Sequence, residues 1–230
     1  MNEIILGDCF EKIKGIPSNS IDLVLTSPPY DNIEGSGYSK GSKDILFFKL
    51  YSDFFDGVLS EIYRVLKPTG QFYLNLKSST SNKTLTTPHW LEFLKSFKQF
   101  KFKSYIIWKY AGSFDSTKVR FHLDYEIIYH LSKTDDIEIN YEPNEKDPLT
   151  SVWYIPHYIK NRLHPVQMPE ALAEKIIKRG SKEGEVVLDI FAGSGTSLFK
   201  AKQLGRKYIG MEINPHYYDI ILKRLAQDVI

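Results

Sequence analysis

A doubly wound, mostly parallel α/β sheet is the architecture the 230-residue sequence predicts, and three features of the sequence carry it. Apolar runs of strand length alternate with stretches of three-and-four helical spacing toward both ends of the chain. One run, Ile21 to Leu25, is broken only by Asp22 and stops in Thr26-Ser27-Pro28-Pro29-Tyr30. A second, Val187 to Ile190, leads into Phe191-Ala192-Gly193-Ser194-Gly195-Thr196, a glycine turn opening a helix.

Taken in order, Ile4 to Leu6 is a short strand ending at Gly7-Asp8, and Cys9 to Ile16 is a helix stopped by Gly15 and Pro17. The strand at 21–26 ends where two prolines remove ladder donors. Residues 31–44, with Gly35, Gly37 and Gly41, carry little hydrophobic pattern and read as a mobile loop. Leu50, Phe54, Phe55, Val58, Leu59, Ile62, Val65 and Leu66 mark an amphipathic helix ending at Lys67-Pro68. The strand Gln71 to Leu76 follows, then a helix near Trp90 to Phe97 and a β-rich pair near 103–110 and 123–131. The polar, acidic stretch 132–150 is an exposed connection. Helices at Pro169–Lys178, Ser197–Leu204 and Pro215–Ala226 then alternate with strands at 185–190 and Tyr208–Met211. The whole chain, 1–230, reads as a single domain without repeats.

Composition narrows the function classes. A formal net charge of +2 is compatible with nucleic acid but is far from a strongly basic footprint. Fifteen Tyr and fourteen Phe can fill a core or stack on bases. The single cysteine excludes an internal disulfide and fits a reducing cytosol. The front end has no basic region before its short apolar run, and no stretch approaches a membrane span, so a cytoplasmic protein is expected. The six histidines and lone cysteine show no metal-ligand spacing, so no metal is expected.

The two turns carry the chemistry. Pro28 and Pro29 stiffen the first and leave the Pro28 carbonyl free to accept; Ser27 adds a second acceptor and Tyr30 a flat aromatic face. Such a site suits a planar group bearing an amine. In the second turn, Gly193 and Gly195 let backbone approach a ligand closely, and the helix start favours an anionic group. Glu212, at the end of the next strand, has the spacing for a ribose diol. A dinucleotide fingerprint would need a third glycine where Leu198 stands, so a nucleoside with a small charged tail fits better, as in S-adenosylmethionine.

Asp-x-Phe-x-Gly-x-Gly-Thr at 189–196 together with Thr-Ser-Pro-Pro-Tyr at 26–30 resembles the amino-group DNA methyltransferases. The proline motif precedes the glycine motif, as in the circularly permuted beta group common in bacterial restriction–modification systems. The resemblance spans nearly the whole chain. Gly7-Asp8-Cys9 is similar to the family's third motif, Tyr208 to Asn214 to its second, and His164-Pro165-Val166-Gln167-Met168-Pro169 to its tenth, with Met168 where lysine is usual. It implies the Rossmann-like class I S-adenosylmethionine-dependent methyltransferase fold. Residue 230 is then expected near residue 1, as if the circle had been cut there.

The resemblance also implies roles. Asp189 lies near the methionine end of S-adenosyl-L-methionine, Phe191 against its adenine and Thr196 toward its carboxylate. Asp8, beside Cys9, meets the adenine amino group, Glu212 the ribose hydroxyls, and His164 and Pro165 close over the methionine portion. Ser27, Pro28, Pro29 and Tyr30 form the catalytic turn. Serine rather than aspartate at 27 resembles the enzymes methylating the N4 amino group of cytosine; N6 of adenine on the same scaffold is the alternative, and a non-catalytic DNA-binding module a third reading. The partner is double-stranded DNA, with its target base flipped out of the stack. Lys40, Lys43, Lys118 and Arg120 stand ready for phosphates, and sequence reading falls to the 31–48 loop, the 111–120 segment or a second subunit of a homodimer. A cognate restriction endonuclease acting on the same site belongs to the same picture. Carbon-5 methylation is disfavoured because it needs a cysteine nucleophile, and Cys9 reads as a buried thiol.

Overall fold

The structure, a computed structural model, describes residues 2–28, 56–76, 80–81, 84–85, 97–110, 124–141, 148–157 and 159–227. In chain order these form β1 (Asn2–Leu6), α1 (Cys9–Lys12) running into a 3-10 turn at Ile13–Gly15, β2 (Ile21–Thr26) and α2 (56–65). Next come β3 (Leu66–Leu76), the two-residue β4 (Thr80–Ser81) and β5 (Thr84–Leu85), β6 (Lys101–Lys109), β7 (Tyr125–Ser132) and β8 (Val152–Tyr154). The chain closes with α3 (Glu170–Gly180), β9 (Val186–Asp189), α4 (Thr196–Gln203), β10 (Lys207–Glu212) and α5 (Pro215–Leu225).

Among the described residues, eight strands make one sheet in the order β1-β10-β9-β2-β3-β7-β6-β8. All neighbours pair in parallel except at β7, which runs antiparallel to both β3 and β6. From β9 the chain steps through α4 to β10 on one side; from β2 it steps through α2 to β3 on the other. The strand order therefore reverses between β9 and β2, the point at which open α/β sheets leave a ligand crevice beyond the carboxyl ends of their strands.

Helices cover both faces. On one, Cys9, Ile13 and Ile16 with Val58, Leu59, Ile62 and Val65 pack on Val24, Phe72, Leu188 and Ile209. On the other, Leu172, Ile176 and Ile177 with Leu198, Ala201 and Ile221 pack on Leu23, Leu25, Tyr73, Val187 and Tyr208. Leu23 and Leu25 face one layer and Val24 the other, as period-two alternation requires of a strand buried on both faces. Asp22, the one break in that run, is a cross-strand link: its carboxylate accepts from Val186 N at 2.9 Å and from Lys67 Nζ at 2.6 Å.

Several boundaries differ from the sequence reading. The first helix is one α-turn followed by a 3-10 turn, since Gly15 and Pro17 leave no room for more. Strand β3 begins at Leu66, directly after α2, and the register shift between Ile21 and Leu23 absorbs Lys67-Pro68-Thr69-Gly70. Pro169 is the N-cap of α3, not its first turn, and the helix runs on to Gly180. Strand β8 went unseen because three residues, Val152-Trp153-Tyr154, are too few for a pattern. Part of the acidic connection packs down: Asn140 N donates to Arg179 O at 2.9 Å and its side chain to Ser181 O at 2.6 Å. The front of the helix expected from Leu50, nearly all of the one near Trp90–Phe97 and residues 1 and 230 lie outside the described residues. No helix among the described residues is long and apolar enough to cross a membrane.

Candidate active site

The crevice is built where β2 and β9 end side by side. Leu23 pairs with Val187 and Val24 with Leu188, so the serine-headed turn and the glycine turn leave the same sheet edge as neighbours. Thr26 Oγ1 donates to Asp189 Oδ1 at 2.8 Å, joining the last residue of β2 to the last of β9 across 163 positions of sequence. Asp189 also accepts from Phe191 N at 3.1 Å and from the Ser197 hydroxyl. Burial raises its carboxyl above the usual range, opposed by those donors. Fully enclosed, Asp189 holds both turns in place.

The glycine turn has the left-handed backbone its residues allow, φ being 54° at Gly193 and 75° at Gly195. Its carbonyls and amides are fixed from outside. Gly193 N donates to Glu212 Oε2 and Asn214 N to Glu212 Oε1, each at 2.8 Å. Arg224, buried on the inner face of α5, donates to Ser194 O at 3.2 Å and Thr196 Oγ1 at 3.0 Å, and pairs with Glu170 at 2.5 Å. Thr196, expected toward a ligand carboxylate, is thus buried with its oxygen accepting from Arg224.

Strand β1 brings the third part. Leu6 pairs with Glu212, and Gly7 N donates to Glu212 O at 2.9 Å, so Asp8 stands beside Glu212 at the sheet edge. Asp8 is exposed and caps α1 through Phe10 N at 2.9 Å. Cys9 is buried, and burial, then the Asp8 carboxylate, pushes its thiol up to about 12. It is no thiolate at neutral pH and no nucleophile.

His164 closes the far side. A Cβ on Gly193 would lie 3.8 Å from the His164 ring, which packs edge-on against Tyr217 with centroids 4.3 Å apart. Its Nδ1 accepts from Val166 N at 3.3 Å, which leaves Nε2 as the donor; Nε2 is buried with no partner among the described residues. Burial lowers its pKa, so the ring is neutral at neutral pH. A buried donor without an acceptor among the described residues, packed against the glycine turn, fits a ligand bearing acceptor oxygens. Pro165 is exposed, with its carbonyl accepting from Arg162 at 2.9 Å.

Ser27 is half-buried and Pro28 buried, at the head of the same crevice. Pro29, Tyr30, Lys40, Lys43, Lys118 and Arg120 lie outside the described residues, as do the 31–48 and 111–120 segments. Sequence reasoning missed the residues that hold the site. Arg224 stands at helical spacing from the buried Tyr217 and Ile221, a cation where the pattern asks for an apolar residue. Asn75 and Glu126 likewise interrupt apolar strands. Asn75 Nδ2 donates to Glu126 Oε2 at 2.8 Å at the carboxyl edge of β3, both buried. Beside them the Tyr110 phenol is held above its ordinary value, first by burial and then by the Glu126 and Asp124 carboxylates.

A sheet of this order, with one reversed strand and a glycine turn at the reversal, defines the class I methyltransferase fold. Among solved structures, the PvuII DNA methyltransferase (cytosine-N4-specific) shares it with a TM-score of 0.84 at 21% identity, over 99% of this chain and 87% of that one. The TTHA0409 protein of Thermus thermophilus, complexed with S-adenosyl-L-methionine, matches with a TM-score of 0.78 at 25% identity, over 98% and 93% of the two chains. The DNA adenine methyltransferase YhdJ of Escherichia coli (strain K12) is 33% identical over 96% of this chain and 82% of its own length. Type II methyltransferase M.HpaI of Haemophilus parainfluenzae is 32% identical over 98% and 74%. The profile of the N6/N4 DNA methylase family matches residues 21–223, and the chain belongs to that family: it is a DNA methyltransferase of the amino-group type.

Proposed function

We propose that the chain transfers a methyl group from S-adenosyl-L-methionine to the exocyclic N4 amino group of a cytosine flipped out of double-stranded DNA. The observation that carries it is the junction of β2 and β9, where the Thr26–Asp189 bond sets the amine-gripping turn beside the glycine turn. Serine at 27 favours cytosine. Adenine N6 is the second reading, favoured by the 33% identity to an adenine methyltransferase.

The methyl donor supplies an electrophilic methyl on a sulfonium. Toward it the chain offers the Gly193–Gly195 backbone, Glu212 and Asp8 for the ribose and adenine, Phe191 for an aromatic contact, and the His164 Nε2–H for an acceptor oxygen. Glu212 already holds two backbone amides, which fix its carboxylate at the strand end. Asp189 stands near the methionine end and Thr196 toward its carboxylate, both also holding the turn in shape; Cys9 lies beside Asp8, and Pro165 closes with His164 over the methionine portion. On the other side, the Ser27 hydroxyl and the Pro28 carbonyl accept from the two amine hydrogens. This favours a more tetrahedral nitrogen whose lone pair meets the methyl in line, and holding both reactants so supplies several kcal/mol of the acceleration. Pro29 stiffens the grip and Tyr30 stacks on the base. Lys40, Lys43, Lys118 and Arg120 take phosphates, and the 31–48 and 111–120 segments read the site.

The pairing of β1 with β10 supports the permuted reading, because the first and last strands then complete one binding site. A single domain, a homodimer on DNA and a cognate endonuclease are part of the proposal, the last after type II relatives such as M.HpaI. The test is to express the chain in a host lacking such modification, digest its DNA to nucleosides and identify the product by mass. N4-methylcytosine is expected, and methyladenine alone overturns the cytosine assignment.

A further inference from the structure

Methyl transfer moves a charge. The amine nitrogen forms a bond to the methyl carbon as the carbon–sulfur bond breaks with its electron pair left on sulfur. The positive charge thus leaves the sulfonium and appears on the base, which then gives up an amine proton to water. A neutral base becoming cationic in a water-poor crevice is stabilised by a fixed negative charge on its own side, more than the farther sulfonium is in the ground state.

Among the described residues, one buried carboxylate stands on that side. Thr26 pairs with Leu74, the last partners of β2 and β3, so Ser27 leaves β2 at the level where β3 runs on into Asn75. Asn75 pairs in turn with Ile128 of β7. Because β7 runs antiparallel, Glu126 is two residues nearer the carboxyl edge than Ile128 and on the same face. Its carboxylate is 4% exposed and held by Asn75 Nδ2 at 2.8 Å. The neighbouring end of β6 brings Tyr110, whose buried hydroxyl has no hydrogen-bond partner among the described residues. A line of polar groups, Ser27, Asn75, Glu126 and Tyr110, therefore runs along the ends of neighbouring strands, leading away from the cofactor half.

We propose that Glu126, fixed by Asn75, lines the target-base pocket and is the counter-charge for the cation formed on the base. This rests on the methyl-transfer reading above and holds for either base. The experiment is single-turnover transfer of labelled methyl from S-adenosylmethionine to unmodified genomic DNA. Cofactor affinity by calorimetry and the melting temperature are recorded alongside. Glu126→Gln is expected to slow transfer about tenfold to a hundredfold, with cofactor affinity within about twofold and melting within a few degrees of wild type. Glu126→Asp, which keeps the charge, is expected to recover part of the rate. An unchanged rate in Glu126→Gln overturns the proposal. So does a loss matched by falls in cofactor affinity and melting in both variants, or failure of both to fold, either of which makes the pair a structural pin. A wild-type chain that transfers nothing overturns the methyl-transfer reading itself, and this inference with it.

Discussion

The Thr26 hydroxyl and the Asp189 carboxylate meet at 2.8 Å between two strand ends, and the halves of the site are held in alignment by that contact. Thr26→Val keeps the shape and removes the donor. A buried carboxylate that loses a donor is left with part of its desolvation unmet, about 1–3 kcal/mol. Denaturant unfolding should show a loss of that size, and turnover should fall with it because both turns shift. Unchanged stability would remove the linking role.

Ser27→Ala tests the amine grip apart from the cofactor half. Turnover should fall by about a hundredfold to a thousandfold, the range for one preorganised hydrogen-bonding group. The dissociation constant for S-adenosylmethionine, measured calorimetrically, should stay within about twofold, as Ser27 leads off β2 and not the glycine turn. Parallel loss of both would contradict the division of labour.

Glu212→Ala should do the opposite. Its two oxygens receive Gly193 N and Asn214 N, so removal frees the glycine turn and deletes the proposed ribose acceptor together. Cofactor affinity should weaken by about tenfold or more, taking one charged hydrogen bond at roughly 1.5–3 kcal/mol. Equilibrium titration decides it, and wild-type affinity would end the assignment.

His130 gives a pH signature unrelated to catalysis. Burial, then the Lys103 cation, lowers its pKa to about 4, while its Nε2 sits 2.9 Å from Gln71 Oε1 and its ring stacks on Tyr73 at 4.4 Å. Between about pH 6.5 and 4 the unfolded chain binds this proton and the folded chain does not, so stability falls as pH falls through that window. The shift corresponds to roughly 3 kcal/mol by pH 4. Urea unfolding from pH 7 to 4 should show that acid limb, and His130→Gln should flatten it; an equally steep limb in the variant would exclude His130 as its source.

The strand-and-turn units at both ends of the site were legible because each packs its signal locally. The run from Ile21 to Thr26, ended by two prolines, and that from Val187 to Asp189, leading into a glycine turn, are short and mostly apolar. Asp22 and Arg224 were visible as charges in apolar patterns, yet their partners, Val186 N and the glycine-turn carbonyl of Ser194, stand far away in sequence. Nothing local announces a partner 164 positions distant. Strand β8 was lost for the opposite reason, since three residues hold too little pattern to tell from a loop. Asn75 and Glu126 each look like polar interruptions until the register of β3 against β7 brings them together.

That 163-position separation between Thr26 and Asp189 also sets a clock on synthesis. At about 5–20 residues per second, the ribosome makes the serine-headed turn roughly ten to thirty seconds before the glycine turn. A nascent chain therefore has no joined site until the strand that ends in Asp189 has also left the ribosome and paired with β2.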